Sequence, residues 1–235
     1  MTIIREERIG NQRLILGDCL EVMPTLGRFD AVVTDPPYGI DPDGVGYGRT
    51  GRAIANDFNE EIMKAGINMA IGLMECGMAA MFYSARITPR VFAGPMAGLY
   101  AGEIIWDKKA PGMGGALRYQ HENIALFSVG GASVACPVFS VLQYYRAAQM
   151  HPHEKPVGLI ERLLEVVGGQ TILDPFMGSG TTLVACQKLG RQGVGIELDP
   201  DYFEIACRRV EEAARQPDLL IPAPPPPPVQ EGLDL

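Results

Sequence analysis

The sequence predicts an α/β fold, in which one domain is built on an open, doubly wound and mostly parallel sheet. Its 235 residues, 47% of them hydrophobic, are enough for a single buried core and too few for two full-sized enzyme domains. Short apolar segments alternate with segments of helical spacing, as in βαβ units. Two of the apolar segments end in aspartates, Asp35 and Asp174, at the position where open α/β sheets place their chemistry.

Apolar runs and helical periodicity define the predicted elements. The strands cover residues 14–16, 29–33, 79–83, 102–106, 124–128, 171–173 and 193–197, and the helices cover residues 60–77, 157–167 and 181–189. Asp18 stands where its side chain can cap a short helix that starts near Leu20. The glycine-rich segments 41–57 and 108–118 are predicted loops.

Charge limits the classes of function. The net charge of −8 argues against a generally basic coat protein for nucleic acid. Residues 151–235 carry 7 Lys and Arg against 13 Asp and Glu, whereas residues 1–150 carry 13 against 15. This distribution leaves room for a local basic face in the first part of the chain.

Other features of composition indicate a cytoplasmic protein without a metal. No apolar stretch approaches the roughly 20 residues of a membrane span, and the amino-terminal residues lack a signal-peptide core. The five cysteines are scattered and form no CxxC pair, and His121 and His153 have no partners at metal-ligand spacing. Residues 216–235 include five consecutive prolines and are expected to form a disordered tail, either solvated or a ligand for a polyproline-binding domain.

A glycine turn follows Asp174 and predicts a cofactor site. Gly178 and Gly180 allow close approach of the backbone to a ligand, and Glu197 ends the next strand, where it could accept both hydroxyls of a ribose. The absence of a lysine before Thr181 disfavours a P-loop, and Asp174 would repel a pyrophosphate but attract an ammonium group. A tight turn in an ordinary βαβ unit explains the glycines but not both carboxylates. The pattern therefore indicates a nucleoside that carries an amino acid and a positive centre, which describes S-adenosylmethionine.

The tetrapeptide Asp35-Pro36-Pro37-Tyr38 follows a predicted strand and is the candidate catalytic motif. Its prolines lack N–H groups and leave stiff, outward-facing carbonyls beside the Asp35 carboxylate. These acceptors and the Tyr38 ring suit a flat ring that bears an amino group. On these residues alone, an ordinary strand-to-loop turn is an equal alternative.

Four motifs in order give the chain a family resemblance. DPPY at 35–38, HPHEKP at 151–156, DPFMGSGTT at 174–182 and GIELDPDYF at 195–203 resemble the DNA amino-methyltransferases. Because the catalytic tetrapeptide precedes the cofactor turn, the order resembles their circularly permuted β class. The resemblance, over residues 14–212, implies a Rossmann-like class I methyltransferase domain within residues 1–215. Residues 14–150 would then be the catalytic, DNA-facing part and residues 151–212 the cofactor-binding part.

The resemblance implies a role for each matching residue. Asp35 and Pro36 would hold the target amino group, Pro37 would complete the motif, and Tyr38 would stack on the flipped base. Asp18 and Cys19 would lie by the cofactor adenine, and the 151–156 motif would close the methionine end. The implied cofactor-binding residues are Asp18, Cys19, Asp35, His151, Lys155, Asp174, Pro175, Phe176, Gly178, Ser179, Gly180, Thr181, Thr182, Glu197 and Leu198. For Lys155, a surface lysine beside a helix is the alternative.

The implied substrate is adenine N6 in double-stranded DNA, because cytosine-N4 enzymes usually carry Ser in place of Asp35. Alternatives are cytosine N4, adenine in RNA, and a non-catalytic DNA-binding protein that senses the cofactor. Since the amino group is paired in a duplex, the base must be flipped out.

Cations in the two glycine-rich loops are the candidate phosphate contacts, although each alone could be an ordinary surface residue. They are Arg49, Arg52, Lys108, Lys109 and Arg118. Residues 127–151 leave little material for reading bases, so we expect short or relaxed specificity, or a second subunit in a homodimer that completes the interface. Trp106 and residues 120–122 also resemble family positions, but packing explains them equally well.

Overall fold

The structure is a computed structural model that describes residues 3–37, 60–83, 98–109, 118–145 and 155–215. In these residues nine strands form one sheet, and helices lie on both of its faces. The strands are β1 Ile3–Ile9, β2 Gln12–Gly17, β3 Ala31–Thr34, β4 Gly77–Tyr83, β5 Tyr100–Asp107, β6 His121–Val129, β7 Val141–Gln143, β8 Thr171–Asp174 and β9 Gln192–Glu197. The helices are α1 Cys19–Val22, α2 Glu60–Gly72, α3 Val157–Val167, α4 Thr181–Lys188 and α5 Pro200–Arg215, with a 3-10 turn over Met23–Thr25.

The sheet is mostly parallel, which confirms the predicted fold class. Its strand order is β1-β2-β9-β8-β3-β4-β6-β5-β7. The five neighbours β2, β9, β8, β3 and β4 run parallel, whereas β1 and β6 pair antiparallel to them. The carboxyl ends of the five parallel strands therefore meet at one edge.

The core has two layers because successive side chains of each strand point to opposite faces of the sheet. On one face, Val32 and Met81 pack with Ile67 of α2. On the other face, Val33 and Phe82 pack with residues of α3 such as Leu163. A third cluster joins β2 to α4 and α5 through Leu14, Leu183 and Phe203. Helices thus cover both faces, as a doubly wound sheet requires.

The predicted helix over 60–77 is too long. It ends at Gly72, and Gly77 begins β4, where a Cβ would lie 1.9 Å from the Asp30 carbonyl oxygen. Residues 73–76 form the connection, anchored by a 3.0 Å hydrogen bond from the Phe29 N–H to the Leu73 carbonyl. Helical spacing could not reveal this boundary, because it depends on the close approach of β4 to a residue far away in the chain.

Two strands lack the sequence signal of a buried strand. β1 reads IIREERI and is exposed along much of its length, so its alternation gives no apolar run. β7 has only three residues and pairs with β5 at the far edge of the sheet. Both are edge strands that bury few side chains, so backbone hydrogen bonds to the neighbouring strand largely place them.

Part of the chain is outside this description. The predicted loop 41–57, most of the loop 108–118 and the tail 216–235 fall there, so the tail and the proposed domain limits stay predictions. None of the helices in the described ranges is long and apolar enough to cross a membrane.

Candidate active site

Four acidic residues line the carboxyl edge of the parallel strands. Asp18 follows β2, Glu197 ends β9, Asp174 ends β8, and Asp35 follows β3. These strands are consecutive neighbours in the sheet. Since neighbouring strands lie about 4.8 Å apart, the row spans about 14 Å. The fold thus brings the two halves of the predicted site together along one edge.

Asp35 lies beside a buried lysine. Its Oδ2 is 2.5 Å from Nζ of Lys155, whose side chain is 10% exposed. Pro36 is buried and Pro37 is half-buried, and neither has an N–H that could compete for the Asp35 carboxylate. Tyr38, the fourth residue of the motif, is outside the described residues, as are His151, Arg49 and Arg52.

Lys155 is the centre of a charge network that the sequence did not predict. Its Nζ is 3.2 Å from Oε2 of Glu122 and lies 5.0 Å from the centroid of the Phe82 ring. Glu122 in turn pairs with Lys108. Burial opposes the charged form of Lys155, but Asp35 and Glu122 outweigh it and hold the pKa of Lys155 above its usual value. Burial likewise opposes the charge of Glu122, but Lys155 and Lys108 lower its pKa to about 2.

This network corrects two interpretations. Lys155 is neither a surface lysine nor solvated, because it is enclosed beside Asp35. The side chain of Lys108 is 7% exposed and pairs with Glu122, which argues against the predicted phosphate contact of this lysine. Lys109 and Arg118 are exposed, so their proposed DNA contacts stay predictions.

Asp174 is tied to the catalytic strand. Its Oδ1 accepts a 2.8 Å hydrogen bond from the Thr34 hydroxyl and a 3.2 Å bond from the Phe176 N–H. Burial raises the pKa of Asp174 to about 6, although hydrogen bonds from Thr182, Thr34 and Phe176 favour its charged form. Asp174 is thus a buried acid that an added cation would stabilise as a carboxylate.

Arg209 of α5 supports the glycine turn of residues 178–180 through hydrogen bonds. Gly178 and Gly180 have φ values of +53° and +79°, and Gly180 precedes the first residue of α4. The Arg209 guanidinium donates to the Ser179 carbonyl at 2.7 Å, to the Ser179 hydroxyl at 2.9 Å and to the Thr181 hydroxyl at 3.1 Å. The side chains of Ser179 and Thr181 therefore brace the turn, and the backbone is the part of the turn suited to a ligand.

Glu197 organises the next strand end. Its Oε2 accepts a 2.9 Å hydrogen bond from the Gly178 N–H, and its Oε1 accepts bonds of 2.9 and 2.8 Å from the Leu198 and Asp199 N–H groups. Burial raises the pKa of Glu197 to about 7, although these N–H groups favour the charged form. A carboxylate has about four acceptor sites, so capacity for hydroxyl donors remains.

An apolar corner closes the other end of the row. Asp18 caps α1 as predicted, because its Oδ1 accepts a 2.8 Å hydrogen bond from the Leu20 N–H. Cys19 is buried, and burial raises the pKa of its thiol to about 12, so the thiol is neutral and lines the site as an apolar group. The ring of Phe176 and the sulfur of Cys19 meet at Gly66 of α2, where an added Cβ would lie 2.8 Å from Cζ and 3.5 Å from Sγ. Cys19, Gly66 and Phe176 thus form an apolar surface at this end of the row.

Several residues of this site were missed or undervalued. Thr34, Gly66, Glu122 and Arg209 all touch predicted site residues. A signal existed for Glu122, since residues 120–122 resemble a family position, but nothing in the sequence singled out Gly66 or Arg209. Within the described ranges, no group of three His, Cys, Asp or Glu residues could hold a metal ion.

Comparisons with known proteins identify the family. Residues 135–208 match a family model described as DNA methylase. The candidate methylase YubD of Escherichia coli (strain K12) is 32% identical over 213 residues, which cover 86% of this chain and 92% of YubD. The chain belongs to the DNA methylase family. This membership confirms the predicted DNA methyltransferase and its cofactor, S-adenosylmethionine.

Solved structures support the fold of this methylase. The M1.HpyAVI–SAM complex matches with a TM-score of 0.64 at 22% identity, over 84% of this chain and 99% of that one. A cytosine-N4-specific enzyme, PvuII DNA methyltransferase, matches with a TM-score of 0.66 at 14% identity, over 87% of this chain and 90% of that one. At these sequence identities, the similarity to the two structures supports the fold and carries no information about the substrate.

The residues along the edge fit S-adenosylmethionine. The Cys19–Phe176 corner suits an adenine ring, the Glu197 carboxylate suits ribose hydroxyls, and Asp174 suits an ammonium group. At Gly178, no atom of the described chain lies within 4 Å of the place of a Cβ, so the backbone of the turn is open to a ligand. Along the strand order β2-β9-β8, these residues follow the order in which the adenine, ribose and amino-acid parts of S-adenosylmethionine are joined.

Proposed function

We propose that this methyltransferase transfers a methyl group from S-adenosylmethionine to N6 of an adenine flipped out of double-stranded DNA. The observation that carries the proposal is the pairing of β3 with β8, which sets the Asp35 carboxylate beside the end of the cofactor strand at Asp174. An acceptor for the target amine therefore lies one strand away from the residues that fit the methyl donor. The Asp at position 35, rather than Ser, favours adenine over cytosine.

The chemistry requires that the target nitrogen be made nucleophilic. The lone pair of an exocyclic amine is delocalised into the ring, so the amine attacks poorly. If the Asp35 carboxylate and the Pro36 carbonyl accept its two N–H bonds, they favour a pyramidal nitrogen with a directed lone pair. The bound cofactor supplies a methyl group on a positive sulfur. The nitrogen gains the methyl carbon as the sulfur–carbon bond breaks, and one N–H proton is then lost, so positioning contributes more than a strong base.

DNA contacts extend the proposal to the rim of the site. Lys109 and Arg118 are exposed near the end of β5 and the start of β6, and we infer that they contact phosphates together with Arg49 and Arg52. Each neutralised phosphate contributes about 0.9 to the slope of log affinity against log salt. Lys109→Ala should thus lower that slope by about one and weaken binding to all DNA sequences alike. A homodimer that completes the DNA interface and a location in the cytoplasm of a bacterial or phage-infected cell also belong to this proposal.

One assay tests the target and the catalytic role of Asp35. Purified protein is incubated with methyl-labelled cofactor and with duplex DNA, single-stranded DNA or RNA, and the products are digested to nucleosides. We expect N6-methyldeoxyadenosine from duplex DNA. N4-methyldeoxycytidine or labelled RNA would assign the enzyme to the alternative substrate instead.

The Asp35→Ala variant completes this test. It should lose transfer while it binds the cofactor within about twofold of wild type, because the proposed role of Asp35 is to hold the amine and most of the implied cofactor contacts lie elsewhere. Turnover that survives in Asp35→Ala would rule out the proposed role of the tetrapeptide.

A further inference from the structure

Four charged side chains form a row behind the target-amine acceptor. Asp35 contacts Lys155 at 2.5 Å, Lys155 contacts Glu122 at 3.2 Å, and Glu122 contacts Lys108. The signs alternate along the row, and the three side chains beyond Asp35 are between 7% and 22% exposed. The row therefore runs from the catalytic strand end into the sheet face that α3 covers.

The surroundings hold the two lysines in place. The Lys155 ammonium lies over the Phe82 ring at 5.0 Å, and the Lys108 ammonium lies over the Trp106 ring at 5.4 Å. Trp106 is fixed in turn, because its indole N–H donates a 2.9 Å hydrogen bond to the Tyr144 carbonyl and its ring packs edge-on against Phe82. Rigid aromatic rings thus leave Lys155 little freedom to move between its two carboxylates.

We propose that Glu122 is a positioning residue for methyl transfer: it shares the Lys155 ammonium with Asp35, so that Lys155 orients the Asp35 carboxylate without taking up all of its acceptor capacity. This inference rests on the proposed function, in which Asp35 accepts an N–H of the target amine. Glu122 touches neither substrate nor cofactor in this account and acts only through Lys155.

The physical reason lies in competition for one carboxylate. A lysine ammonium has three donors and a strong preference for carboxylate oxygens when water is excluded. With Glu122 in place, the positive charge of Lys155 is shared between Oε2 of Glu122 and Oδ2 of Asp35. The ammonium already lies nearer to Asp35, at 2.5 Å, than to Glu122, at 3.2 Å. Without the Glu122 charge, the attraction of the ammonium falls on Asp35 alone and draws its carboxylate away from the amine. The loss should therefore fall on turnover and not on cofactor binding.

The first experiment compares Glu122→Gln with Glu161→Gln in the full chain. Glu161 lies on α3 and pairs with Lys188 at 2.8 Å near the surface, so it is a matched carboxylate–lysine pair outside the site. We expect Glu122→Gln to lower kcat on duplex DNA by about 10- to 100-fold, since a misplaced reacting group costs about that much. Its dissociation constant for S-adenosylmethionine should stay within about twofold, and Glu161→Gln should match wild type in both measurements. An unchanged kcat, or a kcat loss matched by an equal loss of cofactor affinity, would overturn the inference.

A second experiment asks whether Glu122 acts through Lys155. Because the two side chains form one chain of contacts, the kcat of the double variant Glu122→Gln/Lys155→Met should equal that of Lys155→Met alone within about twofold. If the kcat losses of the two single variants multiply in the double variant, Glu122 acts by another route and the inference is wrong. If Glu122→Gln does not fold, Glu122→Asp replaces it, because the shorter side chain withdraws the carboxylate from Lys155. We then expect a smaller loss of kcat with unchanged cofactor affinity, and an unchanged kcat would overturn the inference. Wild type that does not methylate DNA would instead refute the proposed function, so the two failures are distinguishable.

Discussion

The hydroxyl of Thr34 donates a 2.8 Å hydrogen bond to Oδ1 of Asp174 and joins the last residue of the catalytic strand to the last residue of the cofactor strand. Both side chains are buried, at 2% and 3% exposure. A hydrogen bond between buried groups sets their relative position more strictly than a surface contact, since leaving either group unpaired is costly. The bond therefore fixes the distance between the amine acceptor and the donor site.

The Thr34→Val variant tests this bond. Valine keeps the shape but removes the donor that favours the charged form of Asp174, so the pKa of Asp174 should rise further. Loss of one such bond costs about 1–3 kcal/mol, and we expect affinity for S-adenosylmethionine at pH 7 to fall by about tenfold. The measurement is calorimetric titration at pH 7 and pH 8.5, with part of the affinity recovered at the higher pH. Thr25→Val is the control, because the Thr25 hydroxyl donates to the Val22 carbonyl away from the site; equal losses in both variants would contradict the assignment.

The two turn glycines should fail in different ways. An alanine Cβ at Gly180 would lie 2.8 Å from the Ala206 Cβ at a φ of +79°, so Gly180→Ala should destabilise the protein by about 1–3 kcal/mol. Gly178 has a φ of +53° and an open Cβ position within the described chain, so Gly178→Ala should cost about 1–2 kcal/mol of stability. It should lower the affinity for the cofactor more than Gly180→Ala does. Urea unfolding and cofactor titration of both variants check this. Normal cofactor binding by Gly178→Ala would show that the ligand does not approach the turn there.

Gly66 should control the apolar corner. A Cβ there would push on the Phe176 ring at 2.8 Å, so Gly66→Ala should weaken cofactor binding by several-fold. Stability should change little, because alanine is about 0.5–1 kcal/mol better than glycine in a helix and offsets the strain. Gly72→Ala, at the end of the same helix with no described atom within 4 Å of its Cβ, should bind the cofactor like wild type. A Gly66→Ala variant with unchanged affinity would place the adenine elsewhere.

Asp174 should make the cofactor-free protein less stable as pH rises. An acid whose pKa is raised from 3.8 to about 6 binds its proton more tightly in the folded state than in the unfolded state. Its contribution to stability is therefore present below about pH 4 and is lost as pH rises through about 6, by about 3 kcal/mol in total. Relative to Asp174→Asn, wild type should thus lose stability between pH 4.5 and pH 7.5, measured by urea unfolding. Parallel profiles for the two proteins would contradict the raised pKa.

Features that depend on neighbours in the chain were predictable from the sequence. The Asp18 cap involves Leu20, two residues away, and the turn between Asp174 and Thr181 depends on the backbone freedom of the glycines between them. The fold class was predictable for a related reason, because short apolar runs that alternate with segments of helical spacing indicate βαβ units and a parallel sheet.

The alternation of a strand could have revealed the burial of Lys108. Lys108 is two residues beyond Trp106, so both side chains lie on the apolar face, whereas Lys109 is exposed. Both lysines fall in a segment whose composition predicts a loop. However, β5 pairs with β6 as far as Asp107 and His121, and the Lys108 N–H continues the pairing with the Gln120 carbonyl. The physical reason is that the direction of a side chain follows the backbone ladder and not the composition of the segment.

By itself, the sequence indicated the family and the cofactor class and singled out the candidate catalytic motif, because each motif consists of residues a few positions apart whose chemistry is local. Only the tertiary structure decided that Lys155 faces Asp35 and Glu122, which are 120 and 33 residues away in the chain. Charges of either sign are common along the chain, and burial alone selects which of them must pair, because an unpaired charge away from water is too costly to keep. Pairing by burial requires that β3, β4, β6 and α3 first pack together, and no local pattern carries that information.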